Sequence, residues 1–335
     1  MKKIGVLGAG TWGTALARML SLGGNTVTVW SHNARSVAEL DARRIHPRLE
    51  GMRIPREIIF TSELERACRG QDFVLFAVPS VHVRTTAAAA RAFLSPETLI
   101  VDAAKGIEPE TFCTMTEVIH AELSHIPALV GAPVVAFSGP THAEEVARDL
   151  PSAVVAACAE LSAAEAVQQT FSSDCMRVYT NTDVRGVELC GALKNIIALS
   201  AGIADGLGYG DNTRAALITR GLAEMIRLGK AEGCSEQTFC GLAGVGDLIV
   251  TATSVHSRNH RAGMLIGQGH SPASAIAQVG MVVEGVNALP AAVHLAARHG
   301  VEIPIIAAAD AVVNRGADPR ETVNQLMGRS SKREF

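Results

Sequence analysis

Ile4-Gly5-Val6-Leu7-Gly8-Ala9-Gly10-Thr11-Trp12-Gly13 is the stretch on which the fold turns. A short apolar run, Ile4–Leu7, leads into G-x-G-x-x-G, and Thr14–Leu22 follows with helical character. Strand, glycine turn and helix form the context in which this motif holds a dinucleotide. Gly8 permits a tight turn, and Gly10 carries no side chain to keep a pyrophosphate off the backbone. Gly13, helped by Ala15 and Ala17, lets the helix lie close to the strand. The helix N-terminus offers N–H groups and a partial positive charge to phosphate. Gly8, Gly10, Thr11, Trp12 and Gly13 are the first candidate cofactor residues.

Outward from that turn the same rhythm recurs. Val27–Trp30, Phe73–Val78, Leu99–Val101 and Val134–Phe137 read as buried strands, with Val37–Leu40 and Thr86–Phe93 helical between them. The alternation predicts an α/β fold, a Rossmann-like doubly wound and mostly parallel sheet covered on both faces. Ala153–Ala157 and Arg177–Thr180 read as two further strands. After Asp183 long Ala/Leu/Ile-rich segments at helical period take over: Val187–Ser200, Thr213–Ala231 and Ala288–Arg298, punctuated by Gly202, Gly206, Gly208 and Gly210. The expected organisation is a dinucleotide-binding domain over residues 1–185, then an all-helical C-terminal domain over 186–335 for substrate and catalysis. The polar tail from Gly328 to Phe335 reads as frayed.

Composition bounds the function. The chain has 335 residues, room for two domains at roughly 100–200 residues each. It is 48% hydrophobic, enough apolar surface to offset chain entropy and exclude disorder. Thirty Lys+Arg against 33 Asp+Glu gives a net charge of −3, which points away from nucleic acid as a partner. Seven cysteines without a C-x-x-C pair argue against a disulfide framework or a structural zinc, and fit reduced thiols in a cytoplasmic protein. Met1-Lys2-Lys3 before an apolar run imitates a signal peptide, but Gly8 and Gly10 break the run too early. No stretch of about 18–20 apolar residues is without charge, Gly or Pro, so no membrane span is expected.

NAD-preferring sites place an Asp or Glu about 20 residues beyond the glycine motif to bind the ribose 2′-OH. Here the second strand ends in Trp30-Ser31-His32-Asn33-Ala34-Arg35, and the first acid is Glu39. A 2′-phosphate is tolerated there and His32 or Arg35 would meet it. NADP(H) is therefore favoured over NAD(H), with both admissible.

Later blocks are richer in Gly, Lys, Asn, Asp and Thr than packing requires. They are Asp102-Ala103-Ala104-Lys105-Gly106, Ser138-Gly139-Pro140-Thr141-His142-Ala143-Glu144-Glu145, Gly186-Val187-Glu188-Leu189-Cys190-Gly191-Ala192-Leu193-Lys194-Asn195, and Gly241-Leu242-Ala243-Gly244-Val245-Gly246-Asp247-Leu248. Ser257-Arg258-Asn259 and Val282-Val283-Glu284-Gly285 follow. With these blocks in order from about Lys3 to Leu326, the chain resembles NAD(P)-dependent glycerol-3-phosphate dehydrogenase of the bacterial type.

That resemblance implies reversible reduction of dihydroxyacetone phosphate to sn-glycerol 3-phosphate, and it implies roles. Lys194 matches the catalytic lysine, an acid for ketone reduction and, when neutral, a base for alcohol oxidation. Leu189, Ala192, Leu193 and Ile196 would lower its pKa by excluding polar surroundings. Asp247 matches the aspartate beside the lysine, and Thr251 would share its face if the segment is helical. Arg258 and Asn259 match substrate-phosphate residues; arginine's planar fork suits a phosphate, and Arg258 would also reach the cofactor. Asn195 and, more weakly, Ser257 join them. Lys105 matches a residue that meets both substrate and cofactor, Gly139 and Thr141 a substrate loop, and Ala143, Val282 and Glu284 cofactor contacts. The product would supply the glycerol phosphate of membrane lipids, and a homodimer is compatible with the apolar helical half.

Other chemistries lack their frames. His120 and His125 do not share a helix face, His142-Ala143-Glu144-Glu145 is not H-E-x-x-H, and Ser138 lacks G-x-S-x-G. Hydride transfer requires no metal. A related two-domain 3-hydroxyacid dehydrogenase would bind a carboxylate rather than a phosphate, which Ser257-Arg258-Asn259 argues against. A non-catalytic dinucleotide sensor would have no use for Lys194 and Asp247.

Overall fold

The computed structural model describes residues 1–331 and 333–334; Lys332 and Phe335, within the tail expected to fray, lie outside the described residues. The chain divides into two compact units, Met1–Glu108 with Cys113–Glu188 and Pro109–Phe112 with Leu189–Phe335. The division falls three residues beyond the expected 185/186. Pro109–Phe112 counts with the second unit, where the Phe112 ring stacks on His294 at 3.7 Å between centroids.

The first unit holds eight strands: β1 (Lys3–Leu7), β2 (Thr26–Trp30), β3 (Ile59–Thr61), β4 (Phe73–Phe76), β5 (Leu99–Asp102), β6 (Val134–Ser138), β7 (Ser152–Ala157) and β8 (Met176–Asn181). Their spatial order is β3-β2-β1-β4-β5-β6-β7-β8, and every pairing is parallel except β6 with β7. Between β6 and β7 lies only one short helix, Ala143–Val146, too little to carry a parallel crossover, so β7 returns antiparallel. Side chains alternate between two cores. Ile4, Val6, Phe73, Leu75, Val101, Val135 and Phe137 fill one face, and Leu7, Val74, Phe76, Ile100 and Val134 the other.

Three details differ from the sequence expectations. The edge strand β3 was not anticipated. The fourth strand stops at Phe76 rather than Val78, because Ala77 and Val78 turn against the glycine loop. The first helix begins at Thr11, not Thr14, with Gly13 inside it.

The second unit is helical. It is built on Val184–Gly206, Asp211–Ala231, Asp247–Thr253, Arg258–Gly267, Pro272–Val279, Glu284–His299, Pro304–Arg315 and Pro319–Met327. Val184–Gly206 is long and apolar enough to cross a membrane, but its most apolar 18-residue window is 94% buried inside the protein, so it serves as a core helix. Gly202 and Gly206 do not punctuate it; they lie within it, where a Cβ would meet the carbonyl oxygens of His260 at 2.1 Å and Met264 at 2.2 Å. Gly263 and Gly267 answer from the opposite helix, with a Cβ 2.1 Å from Leu199 O and 2.2 Å from Ile203 O. The helix Arg258–Gly267 thus lies backbone to backbone against the one that carries Lys194.

Candidate active site

In the first unit the strand order reverses at β1, whose neighbours are β2 and β4, the switch point at which doubly wound sheets bind ligands. The glycine loop leaves β1 there. Gly8 has φ +122°, and a Cβ on it would strike Ala77 O at 2.6 Å. A Cβ on Gly13 would be 2.0 Å from Gly8 O, so strand and helix touch through hydrogen. A Cβ on Gly10 would meet nothing within 4 Å. Gly10 is the N-cap of the 12-residue helix Thr11–Leu22; no side chain caps this end and its first turn carries no acid. The loop therefore fits a pyrophosphate, because backbone N–H groups face open space at a positive helix end. Thr11 and Trp12 are half-buried in that first turn.

His32 and Arg35 are exposed just beyond β2. Asn33 caps the helix Ala34–Arg43 by accepting from Ser36 N at 3.1 Å, and Arg35 donates to Glu39 at 3.2 Å on the surface. The first acid after the strand thus lies one turn along the helix, paired with Arg35. His46 escaped the sequence reading. It is hydrogen bonded to the backbone of Ala9 inside the glycine loop, and burial followed by the charge of Arg48 lowers its pKa. It sits in an irregular segment with no periodicity to mark it.

Lys105 lies three residues beyond β5, and its Nζ donates to Gly139 O at 2.9 Å. Thr141 Oγ1 donates to the same carbonyl at 3.2 Å. Gly139 has φ +156°, and a Cβ there would be 2.9 Å from Val154 Cα. These three expected residues come together. Ala143 is buried in the core beneath them.

Two buried acids of the blocks singled out in the sequence received no role there. Glu188 accepts from Thr116 N at 2.8 Å and Thr116 Oγ1 at 2.5 Å, yet burial pushes its pKa up to about 7. Burial, and then repulsion from Glu188, raises Asp102 well above the usual carboxylate range.

In the second unit Lys194 and Asp247 are buried at 5% and 0% exposure. Lys194 Nζ donates to Asp247 Oδ1, and to Thr251 Oγ1 at 2.7 Å. Thr251 Oγ1 in turn donates to Asp247 O at 2.6 Å. The glycine-rich run before Asp247 is helical rather than a turn: Leu242–Gly246 is wound wide, with Gly246 N donating to Gly241 O at 3.2 Å, and continues into Asp247–Thr253. The winding puts Asp247 and Thr251 on one face, toward the lysine. Leu189, Ala192, Leu193 and Ile196 of the same helix are all fully buried.

Asn195 and Asn259 also meet. Asn259 Nδ2 donates to Asn195 Oδ1 at 2.8 Å, Asn259 Oδ1 accepts from Gly285 N at 2.8 Å, and Asn195 Nδ2 donates to Gly191 O at 3.0 Å. Each amide keeps one N–H beyond these bonds. Ser257 caps the helix Arg258–Gly267 by accepting from His260 N at 3.2 Å, and half-buried Arg258 is its first residue. Glu284 opens the helix Glu284–His299 beside Gly285, with Val282 half-buried two residues before.

A dinucleotide turn on a doubly wound sheet, with a buried amine set between carboxylate and hydroxyl, defines an NAD(P)-dependent dehydrogenase with a helical second half. The chain belongs to the NAD-dependent glycerol-3-phosphate dehydrogenase family: the model of the family's N-terminus matches residues 3–164, and that of its C-terminus residues 183–324. A glycerol-3-phosphate dehydrogenase [NAD(P)+] 2 of Lactobacillus delbrueckii subsp. bulgaricus is 60% identical over 335 residues, covering 100% of this chain and 99% of the relative. A glycerol-3-phosphate dehydrogenase [NAD(P)+] of Pelotomaculum thermopropionicum is 49% identical, covering 99% of this chain and 95% of its own. The crystal structure of glycerol-3-phosphate dehydrogenase from Coxiella burnetii superposes with a TM-score of 0.92 at 35% identity, over 98% of this chain and 99% of that one. Membership sets aside the 3-hydroxyacid dehydrogenase and sensor readings.

Proposed function

We propose that the chain reduces dihydroxyacetone phosphate reversibly to sn-glycerol 3-phosphate, with Lys194 delivering the proton. The observation that carries this is the buried Lys194 ammonium held by Asp247 and Thr251. A bound nicotinamide dinucleotide supplies the hydride. Gly8, Gly10, Thr11, Trp12 and Gly13 hold its pyrophosphate, and Lys105, Ala143, Arg258, Val282 and Glu284 complete the cofactor contacts. His46, hydrogen bonded to the Ala9 backbone, braces the loop. His32 and Arg35 receive a 2′-phosphate, which favours NADPH.

In the reducing direction Lys194 polarises the ketone and protonates the alkoxide oxygen as the carbonyl carbon is reduced. Asp247 holds the ammonium and keeps its orientation. Thr251 fixes the second side of the amine. In the oxidising direction the neutral amine of Lys194 takes the hydroxyl proton. Arg258, Asn259, Asn195 and Ser257 receive the substrate phosphate, and Lys105, Gly139 and Thr141 line the substrate loop. The product suits membrane lipid synthesis. Seven cysteines without a C-x-x-C pair fit a reducing cytoplasm, and exposed Ile249, Val255 and Met327 fit a homodimer.

The test is cofactor oxidation by purified protein. NADPH or NADH is consumed only when dihydroxyacetone phosphate is present; no turnover with either cofactor overturns the proposal.

A further inference from the structure

Asn259 is not the only residue of its helix tied to the lysine helix. The next residue, His260, is 7% exposed, and its Nε2 meets Asp205 Oδ2 at 2.7 Å. Asp205 lies on Val184–Gly206, the helix of Lys194 and Asn195. A carboxylate only accepts, so Nε2 carries the proton and donates. Nδ1 is buried without a hydrogen-bond partner among the described residues, so the ring is tied through Nε2. Asp205 is itself held from a third helix, Asp211–Ala231: Arg214 Nη2 donates to Oδ2 at 3.0 Å and Nε at 3.2 Å, while Nη1 reaches Asp211 at 2.9 Å.

The glycine contacts at Gly202, Gly206, Gly263 and Gly267 bring the two helices together, but smooth backbone faces do not fix how one helix is rotated on the other. The polar ties do. Asn259 fastens the first turn of Arg258–Gly267 to Asn195, and His260 fastens it to Asp205 farther along the same helix. With adjacent residues bound to separate points, rotation or sliding of that first turn must break a buried hydrogen bond and strand its partner.

We propose that His260 and Asp205, backed by Arg214, are positioning residues that aim Arg258 and Asn259 at the substrate phosphate. This rests on the phosphate role given above to Arg258 and Asn259. Neither His260 nor Asp205 touches substrate. They act by holding the first turn of the phosphate helix in register with Lys194.

The experiment compares dihydroxyacetone phosphate with phosphate-free dihydroxyacetone in four proteins: parent, His260→Leu, His260→Gln and Arg258→Ala. His260→Leu keeps bulk and loses the donor, whereas His260→Gln keeps an N–H at similar reach. His260→Leu is expected to lower kcat/KM for the phosphorylated substrate about tenfold or more, the scale of a small misplacement, and to leave dihydroxyacetone within about twofold. His260→Gln should restore most of the loss. Equal loss on both substrates, or loss on neither, overturns the positioning role. If Arg258→Ala leaves the preference for the phosphorylated substrate intact, the phosphate assignment itself falls, and that outcome is separate from a failure at His260.

Discussion

Replacing Asp247 with asparagine removes a charge where no solvent can replace it. Lys194 and Asp247 are 5% and 0% exposed, so bulk water does not reach the pair. Thr251 Oγ1 remains at 2.7 Å, but a hydroxyl dipole does not neutralise an ammonium. Breaking one partner of a buried ion pair costs about 3–5 kcal/mol, because the remaining charge stays desolvated. Asp247→Asn should lose stability on that scale, or shed the Lys194 proton to avoid doing so; the first route leaves the ammonium without its anchor and the second removes the proton donor. Lys194→Met should destabilise by a similar amount through the stranded Asp247 carboxylate. Lys194→Met with Asp247→Leu replaces both charges by apolar bulk, and such a pair is neutral or stabilising. The assay is urea unfolding of the parent, Lys194→Met, Asp247→Leu and the double variant as a double-mutant cycle, with Asp247→Asn alongside and kcat measured in parallel. The cycle should show strong coupling, the double variant recovering stability without activity. An Asp247→Asn protein with parental unfolding midpoint and kcat would refute the reasoning.

The glycine loop separates binding from folding. Gly10→Ala adds a methyl that meets nothing within 4 Å, so stability should hold while KM for NADPH rises about tenfold; an unchanged KM counts against pyrophosphate contact there. Gly13→Ala places Cβ 2.0 Å from Gly8 O and should cost about 1–3 kcal/mol of stability, visible in the unfolding midpoint. Burial pushes Glu224 up to about 7 from 4.5, against the N–H groups of Ile305 and Ile306. Its folded pKa is the higher one, so its contribution is complete below pH 4.5 and is lost as pH rises through 7. A shift of about 2.5 units corresponds to about 3 kcal/mol, so Glu224→Gln should lack that part of the decline; parallel pH profiles would contradict it. Arg35→Ala should lower the NADPH-to-NADH ratio of kcat/KM about tenfold, and an unchanged ratio would remove Arg35 from the 2′-phosphate site.

The sheet was legible because parallel strands buried on both faces read as unbroken apolar runs, as Phe73 to Phe76 does. Ile59–Thr61 was not, being a three-residue edge strand with too little pattern to mark it. Gly202 and Gly206 looked like helix breaks because sequence cannot show that another backbone lies against them. In the candidate site Lys194 and Asp247 stood out, because a charged residue in an apolar or glycine-rich block has no packing reason to be there. Their supports did not stand out. His260 and Asp205 are 55 residues apart, and the His46 contact with Ala9 depends on a loop without periodicity. Glu188 lies in an apolar helix stretch like Lys194, but its partner Thr116 is 72 residues earlier.

The most direct measurement is the rate of hydride transfer in Lys194→Ala saturated with NADPH and mixed with dihydroxyacetone phosphate, with and without an added alkylamine. If Lys194 delivers the proton, the rate falls about 10²–10⁴-fold and the amine restores part of it. A rate near that of the parent, indifferent to amine, would take the proton away from Lys194.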